Sequence, residues 1–295
     1  MPAPVAAAGT LSIALERVVR DGRHGSVALT GARFGVRGSV APFRPGQRVT
    51  VRLYRGSKKV ARRSVAVRQV TGKDRGTFVL TFGAGRRGRL VARAVHHATP
   101  ELATLRSRAA TLRVIGTTGG PATRLLQAGL EKLGYAVSRS GSFDGATGRA
   151  VMAYRKVNGM RRTSRPSKAM LSRVLRGRGS FRVRYPKAGR HLEADLSRQV
   201  LALVEGSRVV RTYITSSGAP STPTILGTYR IYRRDLGTNR LGMVDAVYFR
   251  GGYAVHGYAS VPPYNASHGC LRVPIPNARS IHDWLTMGTR VVVYR

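Results

Sequence analysis

The chain has 295 residues, 42% of them apolar, with one cysteine and a formal net charge of +40. That apolar share excludes a disordered chain, the lack of any run of about 18 uncharged apolar residues excludes a transmembrane helix, and a lone thiol excludes an internal disulfide. The positive charge is spread over the whole length, which leaves two readings: an affinity for polyanions, or a general enrichment in arginine without a dedicated partner.

No zinc-ligand spacing, helix-turn-helix pattern or RNP-like aromatic motif accompanies the charge, so no specific nucleic-acid partner is expected. The first residues, Met1 to Gly9, are short and Ala-rich. They lack the charged and apolar regions of a signal peptide but resemble its small-residue end, so the expectation is a chain that starts in or just after an export signal.

Residues 10–115 read as all-β. Val49, Val51 and Leu53 alternate with Arg48, Thr50 and Arg52, the period of a half-buried strand. Thr77 to Phe82 and Leu90 to Val95 are similar runs. Pro45-Gly46, Arg55-Gly56-Ser57 and Gly83-Ala84-Gly85 are turn signals between them. Short strands at this spacing suggest a β-sandwich, and their order loosely resembles bacterial immunoglobulin-like modules. His96-His97 would suit a metal only poorly, because neighbours on a strand point to opposite faces.

Gly116 to Pro121 is a linker by composition. Residues 122–178 then change to a helical period. Leu126, Leu130 and Leu133 form an apolar stripe, and Gly134-Tyr135 ends that helix. Thr147 is the expected cap of a second helix carrying Val151, Tyr154 and Val157. Met170, Leu171, Val174 and Leu175 belong to a third. The run Leu126-Gln127, Leu130, Leu133-Gly134-Tyr135, Gly141-Ser142-Phe143-Asp144, Thr147, Ala150-Val151, Tyr154, Asn158-Gly159-Met160 resembles the peptidoglycan-binding-1 family. It departs at Tyr154-Arg155, where an aromatic-Gln pair is usual, and at Thr163-Ser164. The resemblance implies a wall-anchoring role and points to no particular ligand residue.

Residues 181–295 return to β structure with one late helix. Leu192, Ala194 and Leu196 alternate, Val200 to Val204 follow, and Glu205-Gly206-Ser207 reads as a hairpin turn. Val209 to Ile214, Tyr229 to Tyr232 and Ala246 to Phe249 are further strands. Asn277 is the expected N-cap of a helix through Trp284-Leu285, and Arg290 to Tyr294 is the last strand. Without βαβ alternation, a mostly antiparallel sheet is expected.

The single cysteine stands in Ser267-His268-Gly269-Cys270-Leu271-Arg272. A thiol becomes a good nucleophile when an imidazole takes its proton, and a thiol pKa below about 8 would signal such activation. His256, at the end of the strand Tyr253 to Gly257, is the better candidate base, because the loop through Pro262-Pro263 can return beside Cys270. His268 points to the same side as Cys270 and is a pocket or auxiliary residue. The amides of Gly269 and Cys270 are candidate oxyanion donors. Arg272 is placed to meet a carboxylate. Ser267 and Tyr248 are candidate substrate contacts, Ser267 as a turn residue and not a nucleophile. No acidic residue lies close to orient His256, so a backbone carbonyl is an open alternative. His282, beside Asp283 and Trp284, reads as packing.

His256 followed by Ser267-His268-Gly269-Cys270-Leu271-Arg272 resembles the L,D-transpeptidase catalytic domain (YkuD-like) family over residues 184–295. Thr222-Pro223, Gly227-Thr228-Tyr229, Tyr248-Phe249, Val273-Pro274 and Gly288 to Val291 fit the same pattern. The His-to-Ser loop is shorter than in many members, and Arg272 replaces the Asn of one subgroup.

The resemblance implies attack by Cys270 on the amide before the terminal D-Ala of a peptidoglycan stem tetrapeptide. A thioester forms, and an amine of a neighbouring stem resolves it to give a 3→3 cross-link. Water as acceptor would make an L,D-carboxypeptidase, and a decayed site would leave a non-catalytic wall-binding protein. No metal or cofactor is implied, and carbapenems should acylate Cys270. The expected partners are peptidoglycan stem peptides and glycan, with anionic wall polymers as candidates for the charge, in an extracytoplasmic setting. The expected fold is multidomain: an all-β sandwich at 10–115, a three-helix peptidoglycan-binding-like module at 122–178, and a mostly-β transpeptidase-like domain with a short late helix at 181–295.

Overall fold

The computed structural model describes residues 8–22 and 25–295. The proposed remnant of an export signal falls mostly on residues 1–7, outside the described residues. The chain divides into two compact units, Met1–Ala122 and Thr123–Arg295. No described helix is long and apolar enough to cross a membrane.

The first unit is built from strands β1 (Thr10–Glu16), β2 (Val19–Asp21), β3 (Gly25–Leu29), β4 (Arg33–Ala41), β5 (Arg48–Arg55), β6 (Lys58–Ala66), β7 (Arg68–Gln69), β8 (Gly76–Gly83), β9 (Gly88–His96), β10 (Leu105–Arg106) and β11 (Ala110–Ile115). One sheet runs β1-β4-β8-β7 and the other β2-β3-β11-β9-β5-β6, with β10 on β9. The alternation read from the sequence decides which face is inside. Phe34, Val36, Phe78 and Phe82 of one sheet share a core with Val49, Val51, Leu53, Leu90 and Leu112 of the other. His96 is buried and His97 exposed, so the two rings leave the strand on opposite faces.

Helix α1 (Gly120–Lys132) begins just before the boundary and, with α2 (Gly145–Val157) and α3 (Lys168–Leu175), forms the first part of the second unit. Asp144, and not Thr147, caps α2: its carboxylate accepts from the Thr147 amide at 2.7 Å and the Thr147 hydroxyl at 2.7 Å. Thr147 is thus the third residue of the helix, where the cap's partner amide lies. Ser167 caps α3 in the same manner.

Strands β12 (Arg190–Asp195), β13 (Val200–Glu205), β14 (Arg208–Ile214), β15 (Gly227–Arg230), β16 (Arg233–Arg234), β17 (Val244–Arg250), β18 (Tyr253–Tyr258), β19 (Leu271–Pro274) and β20 (Arg290–Tyr294) follow, with helix α4 (Ile275–Trp284) before the last. They form two sheets, β14-β13-β12-β20-β15 and β16-β17-β18-β19. Leu192, Leu203, Val291 and Val293 of the first meet Val247, Phe249, Val255 and Leu271 of the second, with Ala278, Ile281 and Leu285 from the α4 segment closing the core.

The late helix starts before Asn277. It is preceded by Pro274, carries a proline in its first turn and has no side-chain cap. Pro276 supplies a fixed φ where no amide partner is needed. Pairing is antiparallel except at β3–β11, β12–β20 and β18–β19, which are parallel. In the second unit, chain-distant strands are brought side by side there without βαβ units.

The helical module and the β domain of this unit share main-chain and side-chain bonds. The Thr212 amide donates to Gly134 O at 2.7 Å and the Ala136 amide to Thr212 O at 3.2 Å, so the chain after α1 lies against β14. Arg162 donates to Pro263 O and Ser197 O. Lys156 of α2 is only 2% exposed, and its Nζ donates to Gln199 O at 2.9 Å and Thr215 O at 3.0 Å.

Burial, reinforced by the charge of Arg162, pulls the Lys156 ammonium down to about 7. An unfolded lysine keeps its proton to about pH 10.4. The unfolded chain therefore holds more protons between those values, and stability should rise with pH across that window, by up to about 1.4 kcal/mol per pH unit. Urea unfolding from pH 7 to 10 should show this slope in the wild type and lose it in Lys156→Met; an unchanged slope would assign the proton elsewhere.

Candidate active site

β18 and β19 run parallel, with Val255 beside Leu271 and His256 beside Arg272. Cys270 immediately precedes β19 and continues its alternation next to Ala254. Partners in a parallel pair point to the same face, and faces alternate along each strand. Cys270, Ala254, His256, Arg272 and Tyr258 therefore share one face, while Val255, Leu271 and Val273 point into the core under α4. Cys270 packs on the opposite side from that core, against Met243, Ala246, Tyr248 and Ala254. His256 is its diagonal neighbour across the strands, the placement the loop was expected to achieve.

His256 is 3% exposed. Its Nδ1 lies 2.9 Å from Gly257 O. A carbonyl only accepts, so Nδ1 carries the proton and Nε2 keeps its lone pair. The orienting group left open by the sequence is thus a backbone carbonyl of the same strand. Burial lowers the imidazole pKa, the Gly257 carbonyl opposes that, and Arg272 lowers it further.

The Cys270 thiol is half-buried and donates to Gly252 O at 3.4 Å. Burial raises its pKa, while a backbone hydrogen bond at Ala254 and the Arg272 cation act the other way. A thiol pushed up beside an imidazole pushed down means a neutral resting pair. This differs from the expected low-pKa thiol, because desolvation disfavours both charged forms at once.

The turn before Cys270 is held from two sides. Ser267 is buried and not available as a substrate contact: its hydroxyl donates to Cys270 O at 2.6 Å and accepts from the Gly269 amide at 3.1 Å. The Gly269 amide, expected to face an oxyanion, is thereby committed to Ser267, which leaves the Cys270 amide of that pair. Gly269 has φ +118, and a Cβ there would lie 2.7 Å from the Tyr253 ring, so both conformation and space require glycine.

Across from the turn, residues 215–218 act as a splint. Ser217 O accepts from the Ala266 and Ser267 amides, Ser216 and Arg272 exchange both main-chain bonds, and the Thr215 hydroxyl donates to Arg272 O at 2.8 Å. Thr224 completes it: its buried hydroxyl accepts from the Gly218 amide at 2.8 Å and donates to Gly269 O at 2.7 Å. Lys156 and Gln199 hold the back of the splint, since the Gln199 side chain also binds the Ser217 amide and hydroxyl. None of Thr215, Thr224, Gln199 or Lys156 was singled out in the sequence. A buried threonine bonding two backbone groups leaves no spacing pattern to read.

Arg272 pairs with no carboxylate among the described residues; its guanidinium lies 4.2 Å from the Tyr258 ring centre, and that ring stands edge-on to His256 at 5.7 Å. Tyr248 is buried, with Arg233 stacked on it at 4.2 Å, so it forms the floor beside Ala254 and Cys270. His268 is exposed. His282 is buried on α4, bonded to Arg234, away from the thiol face.

The sequence model of the L,D-transpeptidase catalytic domain (YkuD) matches residues 189–293, and that of a putative peptidoglycan binding domain matches residues 119–173. Among solved structures, the L,D-transpeptidase of Xylanimonas cellulosilytica is 33% identical, with 60% of this chain and 95% of that one covered, at a TM-score of 0.55. An L,D-transpeptidase from Stackebrandtia nassauensis is 19% identical, with 60% and 92% covered and a TM-score of 0.37. L,D-transpeptidase 1 of Mycobacterium tuberculosis is 23% identical, with 36% and 62% covered and a TM-score of 0.30. No curated protein matches. On the match to the Xylanimonas structure and the catalytic-domain model, the chain belongs to the L,D-transpeptidase (YkuD) family.

Two outcomes are expected here. The rate of Cys270 alkylation by iodoacetamide should climb with pH through a midpoint above that of an ordinary thiol, and Arg272→Ala should move it higher still by removing a cation that favours the thiolate; a plateau below pH 8 would contradict the neutral pair. Thr224→Val strands the Gly218 amide and the Gly269 carbonyl and should cost about 1–3 kcal/mol in urea unfolding, with slower thiol acylation. Wild-type stability and acylation would remove Thr224 from the splint.

Proposed function

We propose that the protein is an L,D-transpeptidase that acts on peptidoglycan through a Cys270 thioester, outside the cytoplasm. The observation that carries this reading is the shared face of Cys270 and His256, with Nε2 of the imidazole left as an acceptor by the Gly257 carbonyl. A donor stem tetrapeptide lies over this face. The Sγ attacks the carbonyl of the third residue as its proton passes to His256 Nε2, and the proton then goes to the departing D-Ala amine. The neutral resting pair suits this course, because charge develops only as the substrate arrives. The Cys270 amide serves as the donor to the developing oxyanion.

An amine of a second stem then attacks the thioester. The C–S bond breaks, the amine proton passes through His256 to the sulfur, and a 3→3 cross-link is left. Arg272 serves as the cation for a substrate carboxylate, and the exposed His268 borders the entry. The helical domain supports binding to the wall.

Incubation of the full chain with disaccharide-tetrapeptides, followed by mass spectrometry, tests the reading. A dimer with loss of one D-Ala is expected, abolished in Cys270→Ala and lowered at least about a hundredfold in His256→Ala. Tripeptide alone would mean an L,D-carboxypeptidase, and unchanged substrate would sink the enzymatic reading. A carbapenem should add its mass to the wild type and not to Cys270→Ala.

A further inference from the structure

At the far end of the thiol face lies a cavity of about 350 Å³, between α2 and the ends of β14, β18 and β19. Its walls include Ile214, Tyr258, Val261, Pro274 and Ile275, and one arginine, Arg149 of α2. The Arg149 Nε is buried without a hydrogen-bond partner, and the side chain forms no ion pair with any described residue. Burying a guanidinium nitrogen unpaired is costly, and no carboxylate among the described residues offsets that cost for this wall residue. Tyr258, the wall nearest the site, carries the unpaired Arg272 at 4.2 Å on its ring and stands edge-on to His256. Apolar walls with one arginine that lacks an acidic partner, and a second, Arg272, stacked on the Tyr258 wall, fit a peptide segment bearing a carboxylate.

The position of the cavity selects which peptide. From Ala254, beside Cys270, to Tyr258 is four residues along β18, or about 13 Å at ~3.3 Å per residue. His256 lies between. An amine that attacks the thioester must give its proton to His256 Nε2, so it enters from the side of the imidazole. The cavity is on that side.

We infer that this seam cavity holds the carboxylate-bearing part of the acceptor stem, with Arg149 of the helical module and Arg272 as its anion contacts. The inference rests on the transpeptidase reading and extends it. The module then contributes to the choice of amine over water, because a carboxylate anchored about 13 Å from the thiol leaves a few extended residues to reach the thioester.

The test compares wild type, Arg149→Gln and Arg149→Lys as full chains. The donor is disaccharide-tetrapeptide, and the acceptor is a stem peptide with either a free or an amidated C-terminal carboxylate. For the wild type, a preference for the free carboxylate of about tenfold in kcat/KM for the acceptor is expected, matching one charge-assisted contact. Arg149→Gln should raise acceptor KM, lower the ratio of cross-linked to hydrolysed product and erase that preference, and Arg149→Lys should recover part of it.

A preference and a product ratio equal to wild type in Arg149→Gln would overturn the inference while leaving the transpeptidase standing. If the wild type releases no D-Ala, the transpeptidase reading fails instead. Calorimetry with the free-carboxylate peptide alone then decides the site: binding lost in Arg149→Gln supports it, and no binding, or binding that survives, overturns it.

Discussion

Everything at the site hangs on the parallel pairing of β18 with β19. Parallel neighbours demand a crossover, since the chain must return to the starting end of the first strand before the second begins. Here the return is the loop from Ala259 to Cys270, which carries no helix. The loop therefore has few internal bonds of its own, and its last turn must be fixed from outside. Residues 215–218 and Thr224 do so, the Ser267 hydroxyl adds bonds within the turn, and Cys270 emerges at a point where the backbone is bonded on both sides. The same pairing places the imidazole one diagonal away, on a face whose reverse is packed under α4.

The electrostatics follow from that geometry. A thiol and an imidazole lodged together in a water-poor site are each driven toward neutrality. Arg272 tempers the thiol and depresses the imidazole further, so the cation biases where the proton goes without creating a resting ion pair. The Gly257 carbonyl does for His256 what an aspartate does in a charged triad: it holds the tautomer, but adds no net negative charge to favour an imidazolium.

Much of this was legible in the sequence because it depends on local period and residue type. Alternation at Val49, Val51 and Leu53 and the stripe at Leu126, Leu130 and Leu133 gave the elements, and the run Ser267 to Arg272 pointed to the turn on which Cys270 stands beside β18. Boundaries governed by local geometry were misplaced: Asp144 caps α2 three residues before Thr147, and α4 starts at Ile275, with Pro276 in its first turn, ahead of Asn277. The Gly269 amide illustrates a deeper limit. Whether an N–H is free depends on which hydroxyl reaches it, and Ser267 Oγ reaches it only in the folded turn. The back of the splint was invisible for a related reason, since Lys156 and Thr215 are 59 residues apart along the chain.

The bonds of Lys156, Arg162 and Thr212 across the helical module and the β domain have a mechanical consequence. A binding domain on a flexible tether raises the local concentration of substrate over a sphere set by the tether's length. A module bonded through main chain and a buried lysine amine sweeps no such sphere. Whatever polymer it grips is presented to Cys270 at one fixed offset and angle. For the proposed transpeptidase, working on a polymer with a regular repeat, such a module is a gauge that selects reaction points by their distance from the point of grip.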